Sequence, residues 1–508
     1  MSWWLCSIAL IHVFSHSYIH PDEHFQSLEI ISHLLQSTTG FTPWEFNSYP
    51  PSRSMIPLYM LYVPLFKISN LLSISNPFFI LYSIRFILIL SYLIILNYCL
   101  PVLLPDKAKS RIAKWLVLTS YVTWSFQCHT FSNSVETCLL LLVLSIYSRI
   151  LQNNSGKNYT NSIIVGFFIT ISIFNRITFP AFILFPSLTL LRKFYINNWL
   201  PLLSLLSSIT VTSIILICID TQVFQSNELV IAPWNNLIYN LNVDNLALHG
   251  LHPRYTHMLI NLPQLLGPLI IPFVFVILSS LTLILTDINV GSLTSGLLFL
   301  SILKHQELRF LVPLFPIACI AVTESRPKLL QVKWFKYLWI AFNLVLLVIL
   351  GWFHQSGVLN VINYLYKNNE TTNFGVNIWW KTYTPPTWMY SSTELIYSTV
   401  TMENGIEILE TDYQRTTNHV IDLKGSDVSL LNSTISSFLQ NIGTVQIICP
   451  NSMKNTLLSL NSESQIYQYD QIYNDFTHLD LDHFNSQDLN SYLPGIHIYN
   501  VSYSHRDQ

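Results

Sequence analysis

A succession of apolar runs constrains this chain most: 2–18, 78–104, 115–131, 134–151, 161–175, 177–191, 199–219, 263–285, 290–303, 308–322 and 337–353. A helix crossing the hydrocarbon core of a bilayer needs about 20 mostly apolar residues. The runs therefore predict an all-α polytopic membrane protein with about eleven transmembrane helices, several of them short. The stretch 115–151 is too long for one crossing and predicts a hairpin of two short helices. Composition agrees: only 10% of the 508 residues are charged, against about 25% in soluble domains. The net charge of −2 gives no electrostatic footprint for nucleic acid. None of the seven cysteines forms a CxxC pair, so neither a disulfide framework nor a zinc site is expected. The opening MSWWLCSIALIHVF lacks a basic n-region and a cleavage site, which predicts a retained anchor.

Basic residues set the orientation. If the spans alternate, the connections 105–114, 152–160, 192–198 and 323–336 fall on one side, with Lys107, Lys109, Arg111, Lys114, Lys157, Arg192, Lys193, Arg326, Lys328, Lys333 and Lys336. That side is then cytosolic. This requires 55–72, interrupted by Pro57, Pro64 and Lys67, to lie at the interface instead of crossing. The opposite, lumenal side receives HPDEH (20–24), HTFSNSVET (129–137), Arg176, the 220–262 loop, KHQELRF (304–310) and everything after 354.

From 354 onward the sequence turns polar, with short alternating runs such as GTVQIICP between Asn and Ser clusters. A division into 1–353, a transmembrane domain, and 354–508, a small mixed α/β lumenal domain, is expected. The tail carries glycosylation sequons at Asn369, Asn432 and Asn500.

Asp22 and Glu23 follow Pro21, a sequence suited to a first helical turn, where the helix dipole favours acids. The run that follows places Phe25, Leu28, Ile31, Leu34 and Leu35 on one face of a helix lying along the membrane surface. Either the acids only cap that helix, or they hold a carboxylate that takes a proton from an acceptor hydroxyl at the membrane boundary. In HGLHPRYTH, His249, His252 and His257 have spacings that a metal could use, but Pro253 and Arg254 argue against it. A cationic patch for an anionic lipid headgroup suits the residue types better. In KHQELRF, Lys304, His305 and Arg309 can neutralise a phosphate and Glu307 can orient one of them, or Glu307 simply forms an ion pair. SNSVET, with Asn133 and Glu136, reads as a capped helix start. The isolated Arg176 suits contact with a phosphate or a sugar.

Taken together, HPDE (20–23), SNSVET (132–137), the blocks at 235–268, KHQELRFLVPLFP (304–316) and WWKTYTPPTWMY (379–390) resemble the dolichyl-phosphate-mannose-dependent mannosyltransferases of glycosyltransferase family 22. The resemblance covers most of 15–390. It is greatest toward the branch that adds the fourth mannose to glycosylphosphatidylinositol (GPI) precursors. It implies a GT-C fold with amphipathic lumenal helices in the first loop, an endoplasmic reticulum membrane location, and dolichyl-phosphate-mannose as donor. The implied reaction is inverting, independent of any metal or cofactor, and gives an α-1,2 bond to the third GPI mannose. Asp22 matches the family's presumed catalytic base, with Glu23 orienting it or bonding the acceptor. Arg254, His252, Lys304, Arg309 and Arg176 are expected to hold the donor phosphate, and His20, Asn133, Glu136, His249, His257, His305 and Glu307 to contact the substrates. Membrane lipids and the GPI-precursor glycolipid are the expected partners. A sister enzyme acting on another GPI mannose or on lipid-linked oligosaccharide differs only in its acceptor. A lipid-linked-sugar transporter would call for inverted repeats, and none is evident.

Overall fold

The computed structural model describes residues 3–153, 157–247, 250–279, 283–368, 374–403, 405–460, 466–485 and 488–504. Two compact units emerge. One comprises Pro43–Leu61 and Arg85–Leu347. The other comprises Met1–Thr42, Tyr62–Ile84 and Val348–Gln508.

Among the described residues, six helical segments, where about eleven spans are expected, are long and apolar enough to cross a membrane: Pro77–Leu103, Ser132–Gln152, Phe179–Asn197, Trp199–Val223, His257–Leu278 and Lys333–Phe353. Tyr159–Asn175, Ile288–Ile302 and Leu314–Ser325 are apolar but shorter. The expected span 2–18 is helical over Trp3–Val13.

The run 115–131 does not form one helix, and the expected two-helix hairpin is replaced by three pieces. The basic stretch read as a loop starts the helix Lys107–Leu118, because Asp106 caps it by accepting from the N–H groups of Ala108 (2.8 Å) and Lys109 (3.1 Å). The chain then breaks and restarts as Tyr121–Phe126, with the Ser120 hydroxyl accepting from Val122 N–H. Carbonyls at the break find side-chain donors: Thr123 Oγ1 to Val117 O at 2.6 Å and Trp124 Nε1 to Leu118 O at 2.8 Å. Ser132–Gln152 follows.

Within the same unit, Tyr159–Asn175 packs against Trp199–Val223 so closely that a Cβ on Gly166 would meet Leu205 O at 2.8 Å. Close helix approach through small residues is how helices associate in lipid. Trp199–Val223 is largely uncovered by protein and presents Leu203, Leu206, Val211, Ile214 and Ile215 outward.

The segment 55–72 forms no single crossing helix. It breaks at Tyr62 into Ile56–Leu61 and Val63–Leu71, with Pro64 in the first turn of the second helix, where its missing N–H is harmless.

The second unit is built on a seven-stranded mixed sheet: β1 Val376–Trp379, β2 Ile396–Glu403, β3 Ile406–Leu409, β4 His419–Asp422, β5 Val445–Pro450, β6 Tyr467–Asp475 and β7 Ile496–Tyr503. The order is β3-β2-β4-β1-β5-β7-β6. β2, β4, β1 and β5 run parallel, β3 and β7 flank them antiparallel, and β6 pairs antiparallel with β7 at the edge. β1 and β4 are buried throughout, as central parallel strands are when both faces are covered. Leu431, Ile435 and Phe438 of the helix Val428–Leu439 pack on Val376, Ile378, Ile421, Ile447 and Val501. The expected α/β tail is therefore a sheet domain, and the N-terminal segment belongs to the same compact unit. Tyr18 N–H bonds to His354 O at 3.0 Å, and Tyr18 Oη donates to Thr384 O at 2.9 Å.

Candidate active site

In the sheet-containing unit, HPDEH starts a helix that opens as α at Asp22 and Glu23 and then widens. His24–Leu28 is a π-helix, with the amide of Glu29 bonded to His24 O, and α-helix resumes over Glu29–Gln36. Such π turns are rare and concentrate at functional sites. The carbonyl of Pro21 accepts from His24 N (3.0 Å) and Phe25 N (3.1 Å). Asp22 Oδ2 accepts from Gln26 Nε2 at 2.6 Å, while His20 Nδ1 accepts from Asp22 N at 3.1 Å and stands 3.6 Å from Oδ1. The two adjacent acids differ in access: the Asp22 side chain is 23% exposed, whereas Glu23 is fully buried. Of the two, only Asp22 is open to a proton from outside. Of the expected apolar face, Phe25, Leu28 and Ile31 are buried and Leu34 is exposed.

A third carboxylate in this helix has its partners far away in the sequence. Glu29 is fully buried; its Oε1 accepts from Thr387 Oγ1, and its Oε2 from Trp388 N–H at 3.2 Å. Trp388 also donates its indole N–H to His24 Nδ1 at 3.1 Å. The WWKTYTPPTWMY stretch is thus the seat of the HPDEH helix. The signal was there in part: a Glu among apolar residues of one helix needs buried partners.

In the other unit, the charged knot KHQELRF folds around Phe310. The guanidinium carbons of Arg176 and Arg309 stand 5.1 and 5.4 Å from its ring centre, and the rings of His305 and His257 lie 5.6 and 6.4 Å away. An aromatic face holds cations without neutralising them. Glu307 bonds to Arg309 Nε and to His305 Nε2, the latter at 2.7 Å. Burial opposes protonation of His305, but the bonded Glu307 outweighs it and raises the imidazole above its ordinary pKa. Arg176 lies 3.3 Å from Glu136 and donates to Ser132 Oγ at 2.9 Å. Thr178 Oγ1 donates to Glu136 at 3.0 Å. Asn133, next to Ser132, is buried.

His252 joins the knot through its neighbours: its N–H donates to Lys304 O at 2.8 Å, its Nδ1 accepts from Gln306 N at 3.3 Å, and its ring lies 5.8 Å from that of His305. Gln306, a residue the sequence reading passed over, is the staple. Buried, it accepts from His257 N at 2.7 Å and donates to Arg254 O, Ser301 O and Leu303 O. An uncharged amide between four charged neighbours was its only signal.

The structure thus brings together His252, His257, His305, Glu307, Arg309, Arg176, Glu136 and Asn133 in one unit, with Lys304 at their edge. Arg254 enters through its carbonyl, and its side chain is exposed. His249 lies outside the described residues, as does Asn369. Asn432 is exposed on a helix and accepts from Tyr467 Oη at 2.9 Å, and Asn500 lies within β7. Among the described residues, no three His, Cys, Asp or Glu side chains are grouped to hold a metal ion. A cluster of two guanidinium groups and several imidazoles, backed by two acids, is chemically suited to an anionic oxygen ligand such as a phosphate.

Comparison with known proteins adds the family. Residues 1–392 match the model of the Alg9-like mannosyltransferase family. The chain is 41% identical to GPI mannosyltransferase 4 of Candida glabrata, over 98% of this chain and 99% of that protein. It is 42% identical to GPI mannosyltransferase 4 of Saccharomyces cerevisiae, over 98% of each. Identity to the protein of the same name from Yarrowia lipolytica is 33%, over 96% of each. No solved structure is a significant match.

Proposed function

This chain belongs to the Alg9-like mannosyltransferase family, and we propose that it adds the fourth mannose to a GPI-anchor precursor. The donor in this reading is dolichyl-phosphate-mannose, the acceptor is a hydroxyl of the third GPI mannose, and the new bond is α-1,2. The reaction takes place at the lumenal face of the endoplasmic reticulum membrane. The observation that carries the acceptor assignment is identity of 41–42% over 98% of the chain to proteins named GPI mannosyltransferase 4.

The chemistry is a single displacement with inversion. Asp22 takes the proton of the acceptor hydroxyl, that oxygen bonds to the anomeric carbon of mannose, and the bond from that carbon to the phosphate oxygen breaks. Dolichyl phosphate leaves with the electron pair and needs no proton, so one carboxylate suffices where a glycosidase uses two. The charge growing on the phosphate calls for fixed positive groups, and the guanidinium groups of Arg176 and Arg309 beside Phe310 are of the kind that role needs. The accessibility of Asp22 against the burial of Glu23 supports the choice of base.

Depleting the protein from cells tests the acceptor. Accumulation of a GPI precursor carrying three mannoses is the expected result. A two-mannose precursor would move the assignment to the sister reaction, and truncated lipid-linked oligosaccharide would move it out of the GPI pathway.

A further inference from the structure

The direction of the Asp22 carboxylate depends on the helical register that follows it. In an α-helix the amide of Glu29 would bond to Phe25 O; here it bonds to His24 O, which places one extra residue in the turn. One residue corresponds to about 100° of rotation along an α-helix. The face that carries Asp22 and Gln26 is thus set by whether the π turn persists.

Both ends of that turn are tied to one residue of a distant loop. Trp388 gives its indole N–H to His24 Nδ1 at 3.1 Å and its backbone N–H to Glu29 Oε2 at 3.2 Å. Accepting at Nδ1 leaves the ring proton of a neutral His24 on Nε2. Glu29 Oε1 also accepts from Thr387 Oγ1 and lies 3.2 Å from His33 Nε2. Thr387 in turn accepts from Phe41 N–H at 3.1 Å. The approach is so tight that a Cβ on Gly40 would sit 2.0 Å from Thr387 Oγ1. Beneath the loop, Trp379 Nε1 donates to Tyr390 Oη at 3.1 Å, and both side chains are fully buried. The loop is therefore a fixed anchor, and its two bonds to the helix bracket the π turn, from its first residue, His24, to Glu29, the residue that follows it.

We propose that Glu29 and Trp388 are positioning residues for mannosyl transfer: they clamp the π turn between His24 and Glu29 and so aim the Asp22 carboxylate. The inference rests on Asp22 being the base. It differs from a purely structural role for the same residues, because a clamp that aims a base acts on the chemical step. Misplacing a reacting group by about 1 Å can slow a reaction roughly 100-fold while leaving binding intact.

The test compares the purified full-length protein with its Asp22→Asn, Trp388→Phe, Glu29→Gln and Glu29→Ala variants. Radiolabelled dolichyl-phosphate-mannose and a three-mannose GPI precursor serve as substrates, and the readouts are kcat, both KM values and the pH profile of kcat/KM. Trp388→Phe and Glu29→Gln are expected to lower kcat roughly 10- to 100-fold, to leave both KM values near wild type, and to displace the acidic limb of the profile, which reports the base. If Glu29→Ala fails to accumulate, Trp388→Phe decides, since it removes the indole donor and keeps an aromatic ring. Wild-type kcat in Trp388→Phe and Glu29→Gln, beside an inactive Asp22→Asn, would overturn the clamp and leave the base assignment standing. A lower kcat with an unmoved acidic limb would likewise reduce both residues to structural ones. Wild-type activity in Asp22→Asn would remove the base assignment itself, and the clamp with it.

Discussion

Asp22→Asn is expected to abolish measurable transfer while the protein still folds, inserts and binds donor. A positioned general base contributes about 10²–10⁴-fold, and neither neighbouring carboxylate on the helix stands ready in its place. Glu23, the adjacent acid, is fully buried, and Glu29 is committed to Thr387 and Trp388. The asparagine amide has the size of the carboxylate it replaces and keeps an oxygen that can accept from Gln26 Nε2, the bond that Asp22 makes at 2.6 Å. Folding loss is therefore not expected to obscure the result. The check is kcat of the purified variant beside its thermal unfolding and its donor affinity. A variant that unfolds like wild type, binds donor like wild type and turns over at more than about a tenth of the wild-type rate, well above the range expected for loss of a base, would exclude Asp22 as the proton acceptor.

Arg176→Leu is expected to have the largest effect on stability. Glu136 is fully buried on the helix Ser132–Gln152, and Arg176 is its cationic partner at 3.3 Å. Removing one member of a buried ion pair leaves the other charge uncompensated, at a cost of about 3–5 kcal/mol. The single variant should accumulate poorly and unfold at a lower temperature. Adding Glu136→Gln to the same chain removes the stranded charge and should restore most of the stability. Activity should not return with it, because the guanidinium over Phe310 is still missing. A double variant that regains transfer along with stability would show that Arg176 serves the fold alone. Failure of Glu136→Gln to rescue the fold would show that the pair is not the source of the loss.

What was legible in the sequence follows from the range of the interactions. HPDEH could be read because its chemistry is local: a proline, two acids and an amphipathic run within one helix. The cations of KHQELRF could be read because charge beside long apolar runs is conspicuous. Glu29 and Gln306 are legible only in part, since their roles run also through partners far along the chain, 358 residues away for Thr387 and 49 for His257. Phe310 is one aromatic among many until two arginines are seen above it. The helix Lys107–Leu118 is hard to see in the sequence for a different reason: its basic residues suit a loop equally well, although Asp106 ahead of them is a recognisable cap. The break at Thr119–Ser120 hides inside an apolar run because hydroxyl and indole donors replace the lost backbone bonds. The parallel core of the tail is only partly legible, as β1 and β4, buried at every position, carry no alternation to read.

The most direct measurement is transfer by the purified protein in lipid, with labelled dolichyl-phosphate-mannose, a chelator present, and two- and three-mannose GPI precursors offered side by side. The expected result is label on the three-mannose precursor alone, released by an α-1,2-specific mannosidase. Label on the two-mannose precursor, or transfer that appears only when a divalent metal is restored, would contradict it.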